Sequence, residues 1–303
     1  MFITIFEWYK SMKCKRSKDE KNEVANINFI KNIGIGAFGK VWSCEYNHSM
    51  FACKIINEKK MKNDDKQLLK NEILIWKSVF HPNIVTLHDV IFKYPNVYCI
   101  SDLLDESLYD MHVRMLRIGS NPRIITIIKQ MIQICDAMIY LHAKDILHRD
   151  LKSANILIKN DLLAISDFGL ARFSASEMTA ETGSYRWMAP EVIRHENYDK
   201  SCDVYSFAML QYEMMTLCLP FASYSPLEVA FAVARGKRPT LPPMPEDMKE
   251  LIENSWHNQK YIRPDFQTIC NQLNIMKMKK TSFGCLQMAT KPMKRISSRD
   301  CVF

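Results

Sequence analysis

A chain of 303 residues can form one large domain or two lobes around a cleft, and 48% hydrophobic with 24% charged residues predicts an ordinary globular core. No uninterrupted apolar run reaches the roughly 18 to 20 residues that cross a bilayer, so no transmembrane segment is expected. The net charge of +8 lies in the ends: residues 1–28 carry +2 and residues 276–303 carry +6, leaving a near-neutral middle with no expected specific nucleic-acid surface.

The opening "MFITIFEWY" is apolar but short, lacks a basic flank and contains Glu7, which argues against a secretory signal. The ten cysteines form no C-x-x-C pair and no zinc-finger spacing. A reduced, intracellular and cytoplasmic setting is the expectation, with the nucleus left open. Residues 29–59 alternate short apolar runs with turn residues and predict a β-meander. Residues 64–80 place Leu68, Leu69, Ile73, Trp76 and Phe80 near helical spacing, behind Asp64 and Asp65, which suit a helix start. "HPNIVTLHDVIF" and "NVYCIS" predict two further strands. Beyond residue 105 the pattern turns helical. A broad apolar face over 123–143 marks a central helix, and further helices are expected near 199–217, 225–235, 246–256 and 265–275. Strands first and helices afterwards predict an α+β protein of two lobes. The basic residues 276–303 are expected to form a solvated tail that could touch anionic surfaces. Its "CVF" terminus has Cys301 one place too late for a prenylation box.

Only eight glycines are present, and three of them, Gly34, Gly36 and Gly39, stand in "GIGAFG". Such a cluster suggests backbone that approaches something closely. Strand-like "KVWSCEY" follows, which disfavours a dinucleotide fingerprint and leaves a glycine hairpin able to close over phosphates. "FACK" then puts Lys54 on an apolar strand, where an ammonium needs an anion, and Glu72 on the next helix could supply it. By itself Lys54 also reads as a surface lysine with its stem laid along apolar residues. "HRDLKSAN" packs Arg149, Asp150, Lys152 and Asn155 between two apolar runs, and "DFG" with Asp167 follows twelve residues after Asn155. An amide carbonyl and a carboxylate on neighbouring loops are hard oxygen ligands suited to Mg²⁺, with Asp150 beside them to accept a proton. Taken alone, Arg149 and Asp150 also fit a structural ion pair in a turn.

"GIGAFGKV", "FACK", "HRDLKSAN", "DFG" and "APE" occur in this order, and together they resemble the eukaryotic protein kinase family over residues 29–275. "HRDLKSAN", "GSYRWMAPEV" and "DVYSFAM" are similar to its tyrosine-kinase-like group, whose members are mostly Ser/Thr-specific. The resemblance implies a bilobal fold with an N-lobe at about 29–100, a hinge at 101–105 and a C-lobe at 106–275, flanked by an extension at 1–28 and the tail. It implies ATP with Mg²⁺, Mn²⁺ being able to stand in, and protein substrates bearing Ser or Thr. Ile33, Gly34, Gly36 and Gly39 would cover the nucleotide; Val41, Ala52 and Leu157 would sandwich the adenine. Asp102 and Leu104 would face the adenine edge through their backbone, and Ser101 would guard the pocket behind. Lys54, oriented by Glu72, would hold the α/β-phosphates. Asp150 would be the base, Lys152 would neutralise the γ-phosphate, and Asn155 and Asp167 would hold the metal. Glu191 would pair with Arg263, and Asp203 would anchor the catalytic loop. Lys152 and Ser184 favour Ser/Thr over Tyr by the same resemblance. Arg149 is expected to receive a phosphate from the 167–191 loop, with Thr179 and Thr182 as first candidates. A dual-specificity or tyrosine kinase, and a weakly active kinase-fold scaffold, are the alternatives. The chain departs from the family at Ala208, where Gly is usual, and at Trp76, where a smaller apolar residue is usual. Oligomeric state is not readable from the sequence.

Overall fold

A computed structural model describes residues 26–36, 39–168, 172–173 and 184–284. Two compact units emerge: one runs up to Phe80 and resumes over Val85–Leu104, and the other comprises His81–Ile84 and everything from Asp105 onward.

The first unit is a five-stranded antiparallel sheet in the order β1-β2-β3-β5-β4, with strands β1 (Ile27–Gly36), β2 (Gly39–Tyr46), β3 (Ser49–Asn57), β4 (Leu87–Lys93) and β5 (Asn96–Asp102). The β2–β3 turn is Asn47-His48, and both residues have positive φ. That is the backbone of a two-residue turn whose twist matches the strands it joins. Ile27, Cys44, Tyr46, Cys53, Ile91, Tyr98 and Ile100 pack together as the sheet's buried cluster. Helix α1 (Asn63–Ser78) begins where expected. Asp65 accepts a hydrogen bond from the Lys62 N–H at 3.2 Å, satisfying one of the orphan donors at the helix start. Leu69, Ile73 and Trp76 are buried along it. Phe80, expected on the same face, lies beyond the helix end and is exposed.

The second unit contains α2 (Leu108–Arg117), α3 (Ile124–Ala143), α4 (Pro190–Ile193), α5 (Ser201–Thr216), α6 (Pro226–Ala234), α7 (Glu246–Ser255) and α8 (Phe266–Gly284) among its described residues. Short strands β6 (Glu106–Ser107), β8 (Ile156–Lys159) and β9 (Leu162–Ile165) form one small sheet. Strands β7 (Ile146–Leu147) and β10 (Arg172–Phe173) form another. Helix α3 packs on α8 and β9. It is long and apolar enough to cross a membrane, contrary to the expectation from uninterrupted runs, because Lys129 and Asp136 interrupt the run without breaking the helix. Ile127, Ile128, Met131, Ile134, Cys135, Ala137, Met138 and Leu141 are buried inside the unit, so this apolar face already has its protein partner. Helix α5 is buried from Cys202 through Met215.

Two boundaries differ from the expectations. Helix α8 continues to Gly284, past the expected end at 275, so the start of the basic segment is helical. The run "HPNIV" is not strand. Instead Asn83 donates its side-chain amide to Leu163 O at 2.8 Å and Gln133 Oε1 at 2.9 Å, and Ile165 N–H donates to Asn83 O at 2.9 Å. These bonds assign His81–Ile84 to the second unit.

Candidate active site

In the first unit, antiparallel pairing sets Val41 opposite Lys54 and Ala52 opposite Ser101. Lys54 Nζ donates to Glu72 Oε1 at 2.8 Å, and the Glu72 side chain is only 3% exposed. A buried carboxylate needs such a partner, and the bond ties β3 to α1. Trp76, one turn after Glu72, donates its indole N–H to Val85 O at 2.6 Å, fixing the same helix to the lead-in of β4. Ile33 is half exposed on β1. The glycines divide by cause. A Cβ on Gly39 would lie 1.9 Å from Ile55 O, so glycine at 39 is demanded by the close approach of β3. A Cβ on Gly34 would make only an ordinary 4.0 Å contact with Val41.

Ser101 is buried at the end of β5. The Asp102 N–H donates to Thr86 O at 3.2 Å, so this N–H is committed within the sheet. The Asp102 carboxylate accepts from Thr86 N–H at 2.8 Å and lies 2.6 Å from His88 Nε2. Leu104 closes the unit.

In the second unit, the polar loop at 148–155 hangs from α5. Asp203 is fully buried, and its carboxylate accepts the His148 N–H at 3.0 Å, the Arg149 N–H at 2.7 Å and a bond with His142 Nε2 at 2.9 Å. Burial alone would raise its pKa; the His142 bond, the nearby imidazoles and the Arg149 N–H outweigh that and hold it below the usual range. His148, also fully buried, accepts the Asp150 N–H on Nδ1 at 3.4 Å, which makes Nε2 the donor to Ser166 O at 3.1 Å. Its ring packs edge-on against Phe168 at 5.5 Å.

Asp150 Oδ2 accepts from Lys152 Nζ at 2.7 Å and Asn155 Nδ2 at 2.9 Å, while its buried Oδ1 has no hydrogen-bond partner. A carboxylate oxygen buried without a donor signals a missing one, such as a substrate hydroxyl. Lys152 Nζ also donates to Ser184 Oγ at 3.0 Å, joining the loop to the "GSYRWMAPE" segment. Asn155 Nδ2 makes a second bond, to Asp150 O at 2.8 Å. The amide nitrogen is thereby committed, leaving its carbonyl oxygen for a cation. Ser166 N–H and Oγ both donate to Asn155 O, at 2.9 and 3.1 Å, which places the Asp167 loop beside Asn155. Arg149 and Asp167 both have positive φ, at 69° and 62°. Such backbone in non-glycine residues persists only where surroundings over-determine it, and it clusters at functional sites.

Two hard oxygen donors fit Mg²⁺, which keeps several waters and borrows phosphate oxygens instead of seeking an all-protein cage. Arg149 stacks its guanidinium over the Tyr198 ring at 5.3 Å. Arg263 makes a bidentate pair with Glu191 at 2.7 and 2.8 Å, both buried, as expected. Leu157 lies on β8 opposite Ala164, in the second unit. Thr179 and Thr182 lie outside the described residues.

The sequence reading missed Glu213. This carboxylate on α5 is 2% exposed and accepts from Ser153 N–H at 3.3 Å, Ser153 Oγ at 2.9 Å and Trp187 Nε1 at 2.9 Å. Burial pushes its pKa up to about 7, against the opposing pull of those bonds and of Lys152. The available signal was a lone acid within the apolar run "SFAMLQYEMM".

Comparison with known proteins places this geometry. The chain is 35% identical over 254 residues to the serine/threonine-protein kinase STY46 of Arabidopsis thaliana, covering 82% of this chain and 44% of that protein. It is 34% identical over 269 residues to the serine/threonine/tyrosine-protein kinase HT1 of Arabidopsis thaliana (84% and 68%). It is 33% identical over 265 residues to mitogen-activated protein kinase kinase kinase 10 of Mus musculus (80% and 27%). Against STY46 and the mouse protein, then, the chain spans less than half of the relative's length. Residues 27–273 match the family described as protein tyrosine and serine/threonine kinase, and the chain belongs to that family.

Proposed function

We propose that the chain is a serine/threonine protein kinase that moves the γ-phosphoryl group of Mg-ATP to Ser or Thr hydroxyls of protein substrates. The observation that carries this reading is Asp150: Oδ2 is pinned by Lys152 and Asn155, while the buried Oδ1 has no donor. In the reaction the substrate oxygen bonds to the γ-phosphorus, and the bond from that phosphorus to the β–γ bridging oxygen breaks. ADP leaves, and the hydroxyl proton goes to Asp150 Oδ1. Little covalent chemistry is asked of the protein, so alignment and charge neutralisation dominate. Lys152 sets Asp150 and adds positive charge. Lys54, oriented by Glu72, serves the nucleotide phosphates. Asn155 and Asp167 would hold a divalent metal, which would supply charge neutralisation for the transferring phosphoryl group.

The Lys152–Ser184 bond supports Ser/Thr acceptance, and so do the names of most relatives. The name of HT1 adds tyrosine, which makes tyrosine an explicit arm of the test. Arg149 is proposed to receive a phosphate on Thr179 or Thr182, since arginine–phosphate pairs can order a segment. An intracellular setting belongs to the same proposal.

The test is a peptide-array phosphorylation assay with wild type and Asp150→Asn. A general base is worth roughly 10² to 10⁴ in rate. The variant is expected to lose at least a hundredfold in turnover while still binding Mg-ATP. Near-full turnover would remove Asp150 from the mechanism, and phosphotyrosine as the sole product would overturn the Ser/Thr assignment.

A further inference from the structure

The positive charge of this chain is concentrated at its two ends, and at each end it is mixed with apolar side chains. Residues 8–18, "WYKSMKCKRSK", hold five cations (Lys10, Lys13, Lys15, Arg16 and Lys18) and no acid, directly after the apolar-rich opening that ends in Trp8 and Tyr9. Residues 276–303 hold seven cations and one acid, interleaved with Met278, Phe283, Leu286, Met293 and Ile296.

Helix α8 shows how the second of these segments leaves its unit. Leu273 and Met276 lie on the buried face of the helix. Lys280 repeats the position of Leu273 one heptad later, about 20° around the helix, yet it is exposed. By Lys280 the helix has therefore run past the surface on which α8 packs. The opposite face carries Ile275, Met278 and Lys279 within an arc of about 100°. All three are exposed, Ile275 at 52% and Met278 at 64%, so this face turns apolar side chains and a cation to solvent together.

A basic segment can meet a nucleic acid, an acidic protein groove or a bilayer of anionic lipid, and the residues between the cations decide among them. Phosphate contacts along a nucleic acid use the cations and gain nothing from isolated methionine and isoleucine. A protein groove takes one continuous amphipathic helix, whereas α8 ends at Gly284 and Pro292 follows eight residues later. A bilayer surface demands no such continuity. Cations stay among the headgroups, apolar side chains enter the acyl boundary, and tryptophan with tyrosine favours the layer between.

We propose that the chain binds peripherally to anionic bilayers through two basic–apolar segments, residues 1–18 and the end of α8 with the residues that follow it. One weak membrane signal gives marginal, reversible binding, and two acting together give stable binding. Each cation near anionic headgroups contributes about fivefold in affinity. Membrane binding of this kind is independent of phosphoryl transfer and leaves the kinase reading untouched if it fails.

The experiment is sedimentation of the full chain with two kinds of vesicle, phosphatidylcholine alone and phosphatidylcholine with about one third phosphatidylserine, at about 0.1 M and about 0.5 M salt. Wild type is expected to bind the anionic vesicles at least about a hundredfold more tightly than the neutral ones, and to lose about tenfold or more at the higher salt. Lys279→Gln with Lys280→Gln is expected to weaken binding about tenfold. Trp8→Ala with Tyr9→Ala is expected to weaken it about tenfold at both salt concentrations, because insertion of apolar rings is not screened. Tm and phosphorylation of a soluble peptide should stay at wild-type values in both double variants. If Lys279→Gln with Lys280→Gln loosens α8, Lys294→Gln with Arg295→Gln removes two cations outside the helix and carries the same expectation. Equal binding to the two kinds of vesicle, or binding to neither, would overturn the proposal. So would unweakened binding in the folded double variants. Random-sequence duplex DNA bound more tightly than the anionic vesicles would replace the bilayer with nucleic acid and overturn it as well.

Discussion

The two units hold their polar chemistry in different ways. In the first, the Lys54–Glu72 ion pair connects β3 to α1. In the second, a buried helix holds the 148–155 loop through Asp203 and Glu213, and the Trp187 segment through Ser206 and Glu213. An ion pair with one partly exposed member is more easily broken and remade than several buried bonds from one rigid element. The comparison predicts that breaking a buried tie in the second unit registers mainly as lost stability, and breaking the Lys54–Glu72 pair mainly as lost turnover.

Ranked by unfolding free energy, the largest effect is expected from Arg263→Met. It strands the buried carboxylate of Glu191 and should cost about 3–5 kcal/mol, readable as a large drop in Tm or denaturant midpoint. A loss below about 1 kcal/mol would mean that the pair is not a principal tie of the second unit.

Next comes Glu213, through pH. Its folded pKa is raised to about 7 from an ordinary 4.5, so the native state binds its proton more tightly than the unfolded chain does. The corresponding stability is fully present below about pH 4.5 and is lost as pH rises to about 7. The groups facing this carboxylate are Ser153 with Lys152 from the 148–155 loop and Trp187 with Arg186 from the "GSYRWMAPE" segment. Relative to Glu213→Gln, wild-type stability should fall by on the order of 3 kcal/mol over that window and then level off. Parallel curves for the two proteins would contradict the burial of an ionisable Glu213.

Gly39→Ala moves to the first unit. The added Cβ meets the β3 backbone at Ile55 O, where no flexible side chain can yield, and should cost about 1–3 kcal/mol by overpacking. Gly34→Ala, which has room, is the matched control.

The smallest stability effect, with the largest contrast in function, is Glu72→Gln. Lys54 keeps a hydrogen-bond acceptor, so unfolding should change by about 1 kcal/mol or less, while kcat/KM falls about a hundredfold from misplaced positive charge. A stability loss as large as that of Arg263→Met would erase the proposed difference between the units.

Much of this molecule was readable in advance. The long periodic helices α1, α3 and α5 appear within two residues of their expected ends, because an apolar face repeating every turn states both the helix and its buried side. Glu72 was offered as a partner for Lys54 because a strand ammonium needs an anion, while the Glu191–Arg263 pair came from family resemblance alone; the partners are 18 and 72 residues apart. Local pattern carries no information at that range. The two-residue strands β6, β7 and β10 were invisible for the same reason: each exists only through its partner. Glu213 was missed because an acid inside an apolar helix has no local meaning until its donors are known.

The sequence by itself determined the order of elements, the apolar faces and the set of reactive groups, all of which depend on residue type and near-neighbour spacing. The tertiary structure alone decided why Gly39 must be glycine and which oxygen of Asp150 is left without a donor. It also decided how one face of α5 gathers Ser153, Trp187 and the backbone of His148 and Arg149. Those facts concern distances between segments far apart in the chain, and such distances are set by packing.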